Sequence, residues 1–184
     1  MMILSRATDI ETLRGIIALQ AANLEKALTP EALRKEGFVT VVHDLASLSA
    51  ICGDFHHIVA KDPSGQVQGY VLVMLQAYRN SIPILQPMFR KIDTLVFDGK
   101  ALAGSRYMVM GQVCIAKNYR GQGWFKALYD RLFDELRGHF DYIITEVSDR
   151  NPRSLSAHHK IGFQTICQDT AGGETWHLLL HKMY

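Results

Sequence analysis

The segment Arg120-Gly121-Gln122-Gly123 carries the clearest chemistry in this sequence. It follows a mostly apolar run, Tyr107–Ala116, that reads as a central strand. It precedes Trp124–Arg137, whose Leu128, Leu132, Phe133 and Leu136 fall on one helical face. A strand, a tight glycine turn and a helix start leave several backbone N–H groups unpaired at the positive end of a helix dipole, which suits phosphate. Gly121 and Gly123 allow a sharp bend and close approach of a ligand to the backbone. Arg120 adds a cation that can pair with phosphate in a forked geometry. No Gly-Lys-Ser/Thr follows, so this is not a nucleotide P-loop, and the third glycine of the dinucleotide fingerprint is missing.

A second group worth weighing is Glu146, near the C-terminal end of a predicted strand, Asp141–Val147. Open α/β sheets place ligands at such strand ends, and Thr145 and Val147 face the opposite side. That makes Glu146 the best candidate for a general base. His56-His57 opens another strand and reads as one surface and one core residue; Tyr70, Tyr78, Tyr107 and Trp176 read as core or rim packing. Cys52, Cys114 and Cys167 are odd in number, sit among apolar neighbours and match no metal or CxxC spacing, so they read as reduced, mostly buried thiols. No metal cluster and no Ser-His-Asp set can be assembled.

The elements that must position these groups alternate between strand and helix. Residues 2–5 form a short strand. Residues 9–24 form a helix capped by Thr8 or Asp9, and Thr29-Pro30-Glu31-Ala32 opens a second helix that Gly37 stops. His57–Lys61 and Gln68–Leu75 pair as a hairpin around Asp62-Pro63-Ser64-Gly65. Residues 79–105 are irregular, with a helix expected over Phe89–Phe97 and a turn at Asp98-Gly99-Lys100; this is the expected insertion. After Asp141–Val147, a helix runs from Asn151-Pro152 to Lys160, Gly162 breaks it, and Phe163–Cys167 and Thr175–His181 close the chain as strands. The pattern is an α/β plan with a sheet of mixed direction.

Size and composition agree with one globular domain. The chain has 184 residues, 48% hydrophobic and 21% charged, enough for a core without disulfide or metal staples. Its net charge of +2 supports neither a nucleic-acid nor an anionic-lipid partner. No apolar run spans a bilayer, and Met1-Met2-Ile3-Leu4-Ser5-Arg6 turns polar too early for a signal peptide, so a cytoplasmic protein is expected.

Tyr119-Arg120-Gly121-Gln122-Gly123 after the apolar strand, Lys126-Ala127-Leu128 in the next helix, and Asn151…Ala157-His158-His159-Lys160-Ile161-Gly162-Phe163 together resemble the GNAT N-acetyltransferase superfamily over residues 107–167. Arg120 and Gly123 occupy the first and fourth positions of its acetyl-CoA signature. Phe125 stands at the sixth, where the family has Gly or Ala, and is tolerable if it points into the core. The resemblance implies a mixed, mostly antiparallel sheet of about six to seven strands flanked by helices, in one domain over residues 1–184 with 79–105 near the acceptor. It implies that Val113-Cys114-Ile115 pairs with the pantetheine arm, that the amides of Arg120, Gly121, Gln122, Gly123, Trp124 and Phe125 wrap the pyrophosphate, and that Asn151 contacts CoA.

Many relatives place a Tyr on the helix after Asn151 as acid for the departing thiolate; the aligned residue is His158, an imidazolium candidate with His159 turned away. Some keep a base on the strand before the glycine turn, where this chain has Gln112. The expected activity is direct transfer of acetyl from acetyl-CoA to a primary amine of a small molecule or peptide, with His158 and Glu146 as catalytic residues and no metal. The alternative is a catalytically silent acyl-CoA-binding regulatory domain of the same fold. Expected partners are acetyl-CoA and an amine acceptor, without nucleic acid or membrane; dimers are common among relatives, which makes a homodimer one expected assembly.

Overall fold

The protein was obtained as a computed structural model that describes residues 2–183; Met1 and Tyr184, which end the expected domain span, and the Arg34 side chain lie outside the described residues. In chain order the elements are β1 (Ile3–Arg6), α1 (Ile10–Asn23), α2 (Pro30–Glu36), α3 (Leu45–Ile51), β2 (Ile58–Lys61), β3 (Val67–Leu75), α4 (Gln86–Asp93), β4 (Val96–Phe97), β5 (Lys100–Ala101), β6 (Tyr107–Ile115), α5 (Trp124–Leu136), β7 (Tyr142–Ser148), α6 (Pro152–Lys160), β8 (Gln164–Ala171) and β9 (Glu174–Lys182).

Local signals explain most boundaries. The Asp9 carboxylate accepts from the Thr12 amide at 2.7 Å and starts α1. The Thr29 hydroxyl accepts from the Ala32 amide at 3.3 Å, Pro30 occupies the first turn of α2, and Gly37 ends it at φ 75°. A Cβ at Gly37 would also lie 2.9 Å from Asn151 Oδ1, so this position needs glycine for space as well as for backbone. Two differences from expectation stand out. Helix α3 lies outside the expected elements: it is short, Asp44 caps it through the Ser47 amide at 2.7 Å, and burial of Leu48 and Ile51 holds it. Helix α4 covers Gln86–Asp93 rather than 89–97, because Asp98 (φ 48°) and Gly99 (φ 75°) form a two-residue hairpin turn that draws Val96 and Phe97 into β4.

Among the described residues, seven strands form one sheet in the order β1-β2-β3-β6-β7-β9-β8, and every pairing is antiparallel except β6 with β7. Helix α5 is the crossover that this parallel pair requires. Both faces are buried. Ile16, Leu48, Tyr70, Phe89 and Ile144 pack on the side of α1, α3 and α4, while Leu128, Leu132, Met108, Ile143 and Phe163 pack on the side of α5. Each such side chain contributes about 1.5–3 kcal/mol when fully buried. Along β7, Ile143 and Val147 face α5, so alternation turns Glu146 with Ile144 to the other face.

The site arises where β6 and β7 part. They pair only through Tyr107–Tyr142, Met108–Ile143 and Val109–Ile144. The Thr145 hydroxyl donates to the Met110 carbonyl at 3.0 Å where the ladder stops. On its other side β6 carries an extra residue: Val71 pairs with Val113, and Val73 with Met110. This bulge at Gly111-Gln112 bends the strand away from β7. Among the described residues, the second half of β6 therefore has a partner strand on one edge and none on the other.

Candidate active site

The glycine turn connects β6 to α5. Gly121 (φ 73°) and Gly123 (φ 84°) both lie in the left-handed region, and a Cβ at either would meet open space. Among the described residues, the amides of Gly121, Gln122, Gly123, Trp124, Phe125 and Lys126 have no hydrogen-bond partner; the first helical bond of α5 runs from the Ala127 amide to the Gly123 carbonyl at 3.1 Å. These donors stand at the positive end of α5 and form a concave anion site. They open onto a cavity of about 580 Å³ whose wall includes Val113, Cys114, Ile115, Gly121, Gly123, Trp124, Phe125 and Asn151. Gln122 is not on that wall. Its side chain donates to the Asn118 carbonyl at 2.9 Å, so it offers only its amide.

The expected pairing of Arg120 with phosphate needs correction. Arg120 lines this cavity, but its guanidinium is turned away from the turn. Nε donates to the Ile115 carbonyl at 2.8 Å, one terminal nitrogen to the Glu36 carbonyl and carboxylate at 3.2 and 3.0 Å, and the other to Asn23 Oδ1. The fork ties α1 and α2 to the end of β6 instead of pairing with phosphate. Its amide donates to the Lys117 carbonyl at 3.3 Å, so it does not join the cradle. The Asn151 amide is likewise engaged: Oδ1 caps α6 by accepting from the Ser154 amide at 3.2 Å, and Nδ2 donates to the Phe38 carbonyl at 2.9 Å. Asn151 therefore shapes the wall and holds the α2 segment, with each side-chain polar atom already making one hydrogen bond. The other cations that line the cavity are Lys126, Arg153 and Lys160. Lys126 pairs with Asp130 at 2.7 Å, Arg153 donates to the Lys35 carbonyl at 3.2 Å, and Lys160 has no partner among the described residues. Arg153, Ala157 and Lys160 are spaced as one helical stripe, a signal sequence reasoning could have used.

Cys114 is buried, and burial pushes its thiol up to about 12. It stays a neutral thiol at physiological pH, which argues against a covalent cysteine route.

A second cavity of about 490 Å³ meets the first at Phe38, Val39, Val113, Asn151 and Ser154, which line both. Glu146, Gln112 and Trp176 lie on its wall, and residues 79–105 supply Ile84, Leu85, Pro87, Met88 and Lys91. The Glu146 carboxyl has no hydrogen bond or ion pair among the described residues. Burial, with the like charge of Asp169 second, raises it from 4.5 to about 7. Gln112 is a tie: it accepts from the Tyr70 hydroxyl at 2.6 Å and donates to the Val41 carbonyl at 2.8 Å.

His158 also reaches this wall, but its ring does not fit the imidazolium expectation. Nδ1 lies 2.8 Å from the Ser154 carbonyl, which only accepts, so Nδ1 carries the proton. Nε2 then accepts from the Tyr129 hydroxyl at 2.6 Å. The ring is buried, and that burial lowers its pKa to about 4, so it is neutral and has no free N–H. Phe125 and His158 pack together, with Tyr129 and Phe163 around them. Among the described residues no group of His, Cys, Asp and Glu could hold a metal ion, and no helix is long and apolar enough to cross a membrane.

A sequence profile of the acetyltransferase (GNAT) family matches residues 29–163. The chain belongs to that family. No protein of curated function matches the sequence. Among solved structures, the yncA protein of Salmonella typhimurium with its cofactor acetyl-CoA is 18% identical, with a TM-score of 0.64 over 100% of this GNAT chain and 95% of the other. A GNAT superfamily phosphinothricin acetyltransferase from Sinorhizobium meliloti, in complex with AcCoA, is 18% identical with a TM-score of 0.64 over 99% and 88%. A nourseothricin acetyltransferase is 18% identical with a TM-score of 0.50; the match spans 70% of this chain and 65% of that one. At these identities the structural likenesses establish the fold: a mixed sheet of GNAT type flanked by helices.

Proposed function

We propose that this GNAT acetyltransferase takes acetyl-CoA as donor and passes the acetyl group directly to a primary amine of a small molecule or peptide. The observation that carries the reading is the row of partnerless amides from Gly121 to Lys126 at the mouth of one cavity, joined to a second cavity that holds an unpaired carboxyl. The cradle fits the pyrophosphate of CoA, Lys160 and Arg153 fit its phosphates, and the free edge of β6 at Val113–Ile115 fits the amide-bearing pantetheine arm as an added strand. The Salmonella and Sinorhizobium relatives, solved with acetyl-CoA, support the same co-substrate here.

Glu146 serves as the base. Held near neutrality by burial, it is ionised often enough at physiological pH to take a proton from the attacking amine. Phe38 and Val39 line both cavities and give their junction apolar walls. Incubation of the protein with acetyl-CoA and a panel of amines, with a thiol reagent reading free CoA, tests the reading. Amine-dependent CoA release supports it. No release from any amine, while CoA still raises the melting temperature, leaves the silent acyl-CoA-binding alternative.

A further inference from the structure

With both nitrogens of His158 occupied, another group must meet the negative charge that acetyl transfer leaves on sulfur. We infer that the Ser154 hydroxyl donates a hydrogen bond to the departing thiolate, and that His158 and Tyr129 are positioning residues that aim it. This rests on the acetyl-transfer reading above.

Ser154 is half-buried, lines both cavities at their junction, and lies one turn before His158 on the same face of α6. The protonation of the ring follows from its partners. The Ser154 carbonyl fixes the proton on Nδ1, and that N–H is also within 3.3 Å of Ser154 Oγ. Oγ therefore accepts from the ring, and its own hydrogen has no acceptor among the described residues. The Tyr129 hydroxyl, fully buried, donates to Nε2 and prevents the ring from turning over. A chain of donors runs from Tyr129 through His158 to Ser154 and leaves one O–H for the junction.

The chemistry balances. The C–N bond forms and the C–S bond breaks, with the electron pair leaving on sulfur. Glu146 takes the amine proton. Ser154 keeps its proton while its hydrogen bond spreads the sulfur charge; water then protonates the thiolate, and Glu146 returns its proton to water.

The test has two arms. In the first, the thiol of bound CoA is titrated by the ultraviolet absorbance of its thiolate. The expected result is a thiol more acidic on the protein than free in buffer, with Ser154→Ala reversing the shift and Ser154→Thr retaining it. In the second, Ser154→Ala lowers kcat about tenfold to a hundredfold with little change in KM for acetyl-CoA, and less so with an aryl thioester donor whose thiol is a better leaving group. A Ser154→Ala protein that binds CoA with unchanged thiol titration and unchanged kcat overturns the inference. If that variant does not fold, the wild-type titration decides: a bound thiol no more acidic than free CoA overturns it. Wild-type protein that binds CoA but releases none with any amine sinks acetyl transfer instead, and the titration arm still reads the hydroxyl on its own.

Discussion

The Phe125 ring stands edge-on to the His158 imidazole, with centroids 5.1 Å apart and planes at 89°. Both are positions where the sequence departs from the pattern it resembles, with a large residue at the sixth place of the glycine turn and an imidazole on α6 in place of a Tyr. In the fold they touch. The added volume at Phe125 occupies space beside a ring shorter than Tyr, and Tyr129 closes the group with its hydroxyl on His158.

The two departures should therefore be coupled in stability. Phe125→Ala is expected to cost about 2–4 kcal/mol and His158→Tyr about 1–3 kcal/mol through overpacking. The double variant should cost at least about 1 kcal/mol less than their sum. Chemical denaturation of the four proteins measures this; strict additivity would mean that the two side chains are independent.

Glu146 makes a prediction about pH. Its folded value of about 7 lies above its ordinary 4.5, so the folded state binds this proton more tightly than the unfolded chain does. Stability is lost as pH rises from about 4.5 through about 7, by up to about 3 kcal/mol. Glu146→Gln should raise the melting temperature at pH 8 and change it little at pH 4, and should reduce turnover about a hundredfold while leaving acetyl-CoA affinity unchanged. In the wild type, kcat/KM should climb with pH to a plateau above about 7. A wild-type profile flat from pH 5 to 8 would remove Glu146 as the base.

Arg120 separates a structural fork from a phosphate contact. Its guanidinium holds Glu36, Asn23 and the Ile115 carbonyl in three directions, which an ammonium cannot reproduce. Arg120→Lys is expected to lower the melting temperature nearly as much as Arg120→Ala and to weaken CoA binding only through the loosened α2 segment. If Arg120→Lys keeps wild-type stability and loses CoA affinity alone, the guanidinium reaches phosphate after all.

Gly123→Asp is expected to fold, because the side chain meets open space, Asp is an accepted helix cap and a single Asp tolerates left-handed backbone. It places a negative charge in the cradle. Calorimetric titration should show acetyl-CoA affinity reduced more than about tenfold, or about 1.4 kcal/mol; unchanged affinity would place the pyrophosphate elsewhere.

The readable parts of this chain were those whose signals are local. Asp9, Thr29-Pro30 and Gly37 announce helix ends through chemistry within a few residues, and Gly121 with Gly123 announces a turn that needs left-handed backbone. What escaped sequence reading depends on partners far away in the chain. The turn of Arg120 inward is dictated by Glu36 and Asn23, and the engagement of Asn151 by Phe38. The neutral state of His158 is dictated by its burial, and its tautomer by the Ser154 carbonyl and the Tyr129 hydroxyl. Ser154 had no signal beyond helical spacing, since a serine acquires meaning only where two cavities meet. Helix α3 is too short for periodicity to reveal.

The central claim is that the amides from Gly121 to Lys126 bind the diphosphate of CoA, and amide NMR tests it most directly. Titration of isotope-labelled protein with CoA should move the backbone N–H resonances of Gly121, Gln122, Gly123, Trp124 and Phe125 strongly, whereas pantetheine, which lacks the diphosphate, should leave them in place while shifting Val113–Ile115. Saturation with CoA that leaves the Gly121–Phe125 amides unmoved would contradict the account.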